Sequence, residues 1–233
     1  MSRLAITWLG HSTFVLTTPG GTRVVTDPWL EGNPTCPPDR RRITAADLIL
    51  VSHGHSDHTG DVVPVSRATG AAVVAIYELA QWLEGKGVQN VIGMGIGGTI
   101  RVAGLDVSMV PAVHTSSTVE EGKAVYLGEP AGFVVRMENG PVLYFAGDTA
   151  VFGDMRLIGE MYRPEIAFLP IGGHFTMDPE AAAMACRYLG VRQVVPMHYG
   201  TFPVLTGTPD RLRALVDPHG IDVLVLKPGE TAT

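Results

Sequence analysis

HGHSDHTG, residues 53–60, places three of the chain's eight histidines and an aspartate within six positions. It follows directly on the apolar run Leu48-Ile-Leu-Val51, whose length and composition suit a strand buried on both faces. Loops at the C-terminal ends of such strands are where α/β sheets open their binding crevices. Histidine is the commonest metal ligand, and four candidate ligands in so short a loop are costly to place without a cation. In an extended segment His53 and His55 project to the same side and can face one metal. Asp57 and His58 follow after a turn and can face a second. Gly54 and Ser56 are small enough to let the backbone bend around the ions.

Other ligands have to come from elsewhere, and three further strand ends offer them. His114 closes VSMVPAVH, Asp148 closes VLYFAGD and His198 closes VVPMH. A lone strand-end histidine or aspartate is more often structural. Four segments that each deliver hard or borderline ligands to a strand end make a metal-binding constellation.

The rest of the chain supplies the frame for these ends. Short apolar runs bounded by Gly, Pro and Asp recur at 5–9, 14–17, 22–26, 48–51, 71–76, 105–111, 132–137, 142–146, 166–170, 194–197 and 221–226, each of strand length. Thr208-Pro209-Asp210 reads as the start of a helix over RLRALV, and Asp178-Pro179-Glu180 as the start of one over AAAMACRYL that stops at Gly190. Further helices are expected at 77–84 and 155–162. The order suggests an α/β protein of two packed sheets with helices outside, as one domain over residues 1–233. Gly93-Met-Gly-Ile-Gly-Gly98 has the spacing of a dinucleotide-binding loop. A strand-like TIRVAG follows it instead of a helix, so it reads as a flexible turn.

Composition narrows the partners. The net charge is −6, against a nucleic-acid footprint of clustered Lys and Arg; Arg40-Arg41-Arg42 is the only basic run and reads as a solvated loop. Cys36 and Cys186 are isolated, as in a reducing cytoplasm. The start of the chain lacks a signal peptide's apolar core, and no apolar stretch approaches bilayer-spanning length. The expectation is a cytoplasmic protein that acts on a small-molecule substrate, without nucleic-acid or membrane partners; homo-oligomerisation is left open.

HGHSDH with the later His114, Asp148 and His198 resembles the metallo-β-lactamase superfamily. ITWLGHSTFVL, TDPWLEGNP, PIGGHFTMDPEAA and VVPMHYGTFP resemble its branch of uncharacterised metal-dependent hydrolases related to the ascorbate-6-phosphate lactonases. The resemblance runs from Leu4 to about Pro228 and implies a four-layer αββα sandwich with a dinuclear site between the sheet edges. It assigns His53, His55 and His114 to one metal and Asp57, His58 and His198 to the other, with Asp148 bridging. Zinc is the expected ion, with manganese and iron as alternatives. Such a pair lowers the pKa of a water held between the ions and polarises a carbonyl or phosphoryl oxygen. The function expected is therefore hydrolysis of an ester, lactone or phosphodiester by a metal-bound hydroxide. A di-iron redox protein, a metal-binding scaffold and a nuclease are the alternatives.

Asp57 can, besides binding metal, orient the hydroxide or pass a proton to the leaving group. His174 stands in a Gly-rich loop where the branch implies an amide or acidic residue, and is the expected substrate-facing proton donor. Asp27 is a candidate acceptor for the free ring nitrogen of a metal-bound histidine. His11 is a candidate to line the site, and His219 reads as a solvated turn residue.

Overall fold

A computed structural model describes residues 3–233; Met1 and Ser2 lie outside the described residues. The first sheet takes β1 (Ala5–Trp8), β2 (Phe14–Thr17), β3 (Arg23–Thr26), β4 (Leu48–Leu50), β5 (Ala72–Ile76) and β6 (Val91–Met94). The second takes β7 (Thr99–Val102), β8 (Leu105–Pro111), β11 (Ala131–Arg136), β12 (Val142–Phe145), β13 (Ile166–Pro170), β14 (Gln193–Met197) and β15 (Asp222–Val223). Between β8 and β11 the chain makes a separate hairpin, β9 (Ser117–Glu120) and β10 (Lys123–Tyr126), and β16 (Thr231–Ala232) returns to pair with β1. The strand orders are β16-β1-β2-β3-β4-β5-β6 and β15-β14-β13-β12-β11-β8-β7.

The two sheets face each other across an apolar core: Phe14 on β2 meets Phe168 on β13 edge-on, ring centroids 4.9 Å apart, and both rings are fully buried. Helix α3 (Tyr77–Gly85) covers β5 and β6 on one outside face, while α5 (Pro179–Leu189) and α6 (Pro209–Val216) pack on β13 and β15 on the other. This is the αββα sandwich. The LIL of β4 is buried at every residue, as a strand covered on both faces requires.

The helix starts follow the local signals. Asp178 accepts from the Ala181 amide and Thr208 from the Arg211 amide, each cap worth about 1 kcal/mol, and Gly190 ends α5 in the left-handed conformation. Helix α4 (Met155–Tyr162) also forms as expected. Two departures have physical causes. The 62–69 segment is helix α2 (Val62–Thr69) although it is β-branched and contains Pro64: the proline falls in the first turn, where it is tolerated, and the helix buries Val62 and Val65. The 221–226 run pairs only through Asp222 and Val223, on the outer edge of its sheet. The glycine-rich 93–98 segment ends β6 at Gly93 and Met94 and then turns into β7, so no helix offers its N-terminus there.

Strand directions put the candidate ligands on one rim. Strands β1 and β3 both run antiparallel to β2, and β3 is parallel to β4. His11, Asp27 and His53 therefore leave the same edge of the first sheet. In the second, β8 and β12 both run antiparallel to β11, and β12, β13 and β14 are parallel, so His114, Asp148 and His198 leave a common edge. The His198 amide donates to the His11 carbonyl at 3.0 Å, joining the two edges at the site.

Candidate metal centre

The HGHSDH loop turns straight into a one-turn helix, α1 (Ser56–Thr59), with His55 at its N-cap. His53, His55 and His114 place a ring nitrogen each within 4.8 Å of one another, and so do the ligand atoms of His11, Asp57, His58 and His198. Asp148 stands between the two groups: its Oδ2 lies 3.7 Å from His114 Nε2, 3.4 Å from His58 Nε2 and 3.0 Å from His198 Nε2. Despite this closeness His58 Nε2, both ring nitrogens of His198 and Asp148 Oδ1 are buried without a hydrogen-bond partner. Buried polar atoms left unpaired are costly. Bound metal would satisfy three imidazole nitrogens gathered on one carboxylate oxygen, and the donor set of histidines and aspartates fits it.

Outer partners hold the rings in the matching tautomers. Asp27 Oδ2 takes the Ser52 hydroxyl proton at 2.6 Å and faces His58 Nδ1 at 2.7 Å, and Asp27 Oδ1 accepts from the Ser52 amide at 2.7 Å. His53 Nδ1 lies 3.0 Å from the Ser52 oxygen; since that hydroxyl already donates to Asp27, the ring donates here. His53 thus keeps Nε2 for a cation, and His58 offers its own once the proton there is displaced; metal-bound histidines usually have a carboxylate or hydroxyl behind them in this way. His11 Nε2 lies 3.1 Å from Asp57 Oδ2, and His11 Nδ1 lies 2.9 Å from the Thr201 hydroxyl. His11, Asp27 and His198 are all left-handed, with φ of 54°, 38° and 55°. Non-glycine residues pay roughly 1 kcal/mol or more for this conformation, and three of them meet at this site. Two glycines make room: a Cβ at Gly54 would lie 2.6 Å from Leu127 Cδ1, and one at Gly147 (φ 60°) would lie 2.5 Å from Ser52 Cβ.

The charges follow from burial and neighbours. Burial pushes the pKa values of His53, His55 and His114 down, which keeps these rings neutral, and pushes His11 down to about 4. For Asp148 and Asp57 burial acts upward, but neighbouring histidines hold both carboxylates well below the usual range. Burial also raises Asp27. His58 goes the other way: burial would lower its pKa, yet Asp148 and Asp27 on either side lift it well above the ordinary value. A cation seated between His58 and Asp148 must displace that proton. Metal binding near pH 7 is therefore expected to release at least one proton, with apparent affinity rising about tenfold per pH unit. Calorimetry in two buffers of different ionisation enthalpy measures this, and proton-neutral binding would remove His58 from the ligand set.

Above the donors opens a cavity of about 400 Å³ lined by Trp29, His55, Ser56, Asp57, His114, Thr115, Asp148, Phe175, His198 and Phe202. A larger concavity of about 800 Å³ beside Arg136, Arg163 and Arg192 lies on the outer side, around α4 and the end of α5, away from the ligands.

The model for the β-lactamase superfamily domain matches residues 22–199. A UPF0173 metal-dependent hydrolase of Rubrobacter xylanophilus is 51% identical over 228 residues, covering 97% of this chain and 94% of the relative. The chain belongs to the β-lactamase superfamily, in its UPF0173 branch of metal-dependent hydrolases. Another member of that branch, from Methanopyrus kandleri, is 47% identical with 98% and 99% of the two chains covered. Among solved structures, Igni18, a metallo hydrolase of the archaeon Ignicoccus hospitalis, superposes with a TM-score of 0.87 at 37% identity, over 99% of this chain and 98% of that one.

In this superfamily member His53, His55, Asp57, His58, His114, Asp148 and His198 come together on one rim. Asp27 backs His58, and His219 is an exposed turn residue near Arg187. His174 does not join them. It is exposed, left-handed at φ 58°, with its ring edge-on to Phe175 at 4.4 Å, and the side chain that meets the cavity at this loop is Phe175. His11 reaches the site more deeply than lining implies: it is fully buried against Asp57 and His198. The signal for it is the Gly10-His11 break in an otherwise alternating strand pattern. Trp29, Phe202 and Thr201 carry no such signal, because their roles depend on pairing loops far apart in sequence.

Proposed function

We propose that this chain is a hydrolase of an ester, lactone or phosphodiester bond in a small molecule, working with two divalent cations, zinc first. The observation that carries the reading is the convergence of three histidine nitrogens from both ligand groups on one buried oxygen of Asp148. His53, His55 and His114 would hold one cation, Asp57, His58 and His198 the other, and Asp148 both. Bound there, the ions supply an ionised water at neutral pH and a Lewis acid for the scissile oxygen. Nitrogen and oxygen donors without sulfur suit zinc, manganese or iron. The proton work falls to Asp57, the more exposed of the two carboxylates on the cavity wall, whose side chain is 25% exposed. Held ionised and oriented by His11, it can take the proton of the attacking water and give it to the departing oxygen. The names borne by the UPF0173 relatives and by Igni18 support hydrolysis as the reaction class.

Elemental analysis of the purified protein, run beside a panel of lactones, carboxylic esters and phosphodiesters, tests the reading. Two ions per chain and turnover that vanishes on chelation are expected. One ion at full activity would overturn the dinuclear assignment, and two ions with no hydrolysis of any class would overturn the hydrolase. Chelation should also lower the melting temperature by roughly 10 °C, since a ligand present at a thousandfold its Kd adds about 4 kcal/mol to the folded state. An unmoved melt after the metal is stripped would uncouple the centre from the fold.

A further inference from the structure

The hydrolase reading leaves the substrate's flanking groups open, and the cavity wall bears on them directly. Trp29 and Phe202 form an aromatic corner, ring centroids 5.9 Å apart at 35°. Both rings rest edge-on against the buried His11, at 5.1 and 5.7 Å. Trp29 is further fixed by Gly60, where a Cβ would come within 2.9 Å of the indole. The corner is thus backed by His11 and by the chain at Gly60. Phe175, also on the cavity lining, is 53% exposed, with His174 edge-on to its ring at 4.4 Å. The polar groups outside the ligand cluster are the hydroxyl-bearing Ser56 and Thr115, and among the described residues no lysine or arginine lines the cavity. Its carboxylates, Asp57 and Asp148, belong to the ligand set. At about 400 Å³ the space is near the lower end of ligand cavities, roughly 300–1,000 Å³.

We propose that the substrate is a neutral carboxylic ester or lactone bearing an aryl or similarly flat apolar group, which stacks in the Trp29–Phe202 corner beneath Phe175. This inference rests on the hydrolase reading only for the identity of the reacting bond; the wall selects what lies beside that bond. Aromatic faces favour flat apolar partners in stacked or edge-on contact. A carboxylate, sulfonate or second phosphate held against these rings, away from the metal ligands, would lose its water and meet no lysine or arginine of the lining. In the reaction, water oxygen bonds to the acyl carbon, the acyl C–O bond breaks, and one water proton leaves on the alcohol. The second proton is released from the acid product. No oxidant or co-reactant is needed.

Binding and turnover together test this. Methyl 2-naphthyl ketone, which has no hydrolysable bond, is titrated against the metal-loaded protein by tryptophan quenching, beside the same ketone carrying a ring sulfonate. Turnover is compared for methyl 2-naphthoate, its ring-sulfonated form and methyl butanoate, which share one leaving group. The neutral aryl compounds should be favoured by about tenfold or more in Kd and in kcat/KM. Phe202→Ala and the exposed-site Phe175→Ala should each weaken ketone binding about tenfold, raising KM far more than they lower kcat, with metal content intact. Equal binding of the sulfonated ketone, or variants with full metal and unchanged Kd, would overturn the proposal. If the ketone shows the predicted pattern while no ester, lactone or phosphodiester is hydrolysed, the hydrolase reading falls and the neutral aromatic ligand class stands. If phosphodiesters are hydrolysed and naphthyl compounds do not bind, the substrate class falls and the hydrolase stands.

Discussion

Asp148→Ala is expected to empty the centre and stop turnover in one step. Its Oδ2 is 3.0–3.7 Å from Nε2 of His198, His58 and His114, so under the proposed dinuclear reading its loss removes the ligand that both cations would share. It also leaves His58 facing an uncompensated void. Removing an outer partner of a ligand costs about 10–100-fold in affinity or activity; removing the bridge should cost more in both. Asp148→Asn keeps the volume and one acceptor but not the charge, and should fall between. Metal content by elemental analysis and turnover on the best panel substrate give the answer, with circular dichroism to confirm folding. His174→Ala is the contrast: an exposed side chain outside the cavity lining should leave both metal and rate in place. An Asp148→Ala protein that keeps two ions would remove the bridge from the scheme.

Most of the candidate centre is legible along the chain because each segment that supplies it follows directly on a strand, HGHSDH included, although Asp57 and His58 themselves sit on the short helix α1. A core strand announces itself by an unbroken apolar run, and the first polar residue past it lands on the rim; Asp148 after VLYFAG and His198 after VVPM both follow this rule. The αββα layering is legible for the same reason, since LILV needs cover on both faces and has it; VLVL at 223–226 reads alike but leaves its strand after Val223, with Val225 exposed. Pattern reading fails where an outcome depends on which loops meet. The left-handed φ at His174 decides that Phe175 and not the histidine meets the cavity, and no periodicity encodes that. The Trp29–Phe202 corner joins loops after β3 and β14, in different sheets. Helix α2 is hidden because burial of Val62 and Val65 overrides a weak propensity.

Asp27→Ala should show how far the centre depends on a residue that the proposed reading places behind the ligands. Asp27 is fully buried and receives the Ser52 amide, the Ser52 hydroxyl and His58 Nδ1 at 2.6–2.7 Å. The substitution strands three buried donors at about 1–3 kcal/mol each and places alanine at φ 38°, which costs roughly 1 kcal/mol more than for aspartate. A loss of roughly 4 kcal/mol is a large part of an ordinary 5–15 kcal/mol stability. Metal affinity should drop about 10–100-fold as His58 and His53 lose the groups that fix their tautomers. Asp27→Asn separates the two effects. Its amide oxygen can still accept and asparagine tolerates the left-handed backbone, so most of the stability should return. Its NH₂ must face either His58 or Ser52, both of which donate, so metal affinity should not. Chemical denaturation and competition with a metal indicator measure the two quantities separately. If Asp27→Asn binds metal like the parent protein, Asp27 supports the fold alone and the tautomers of His53 and His58 are set elsewhere.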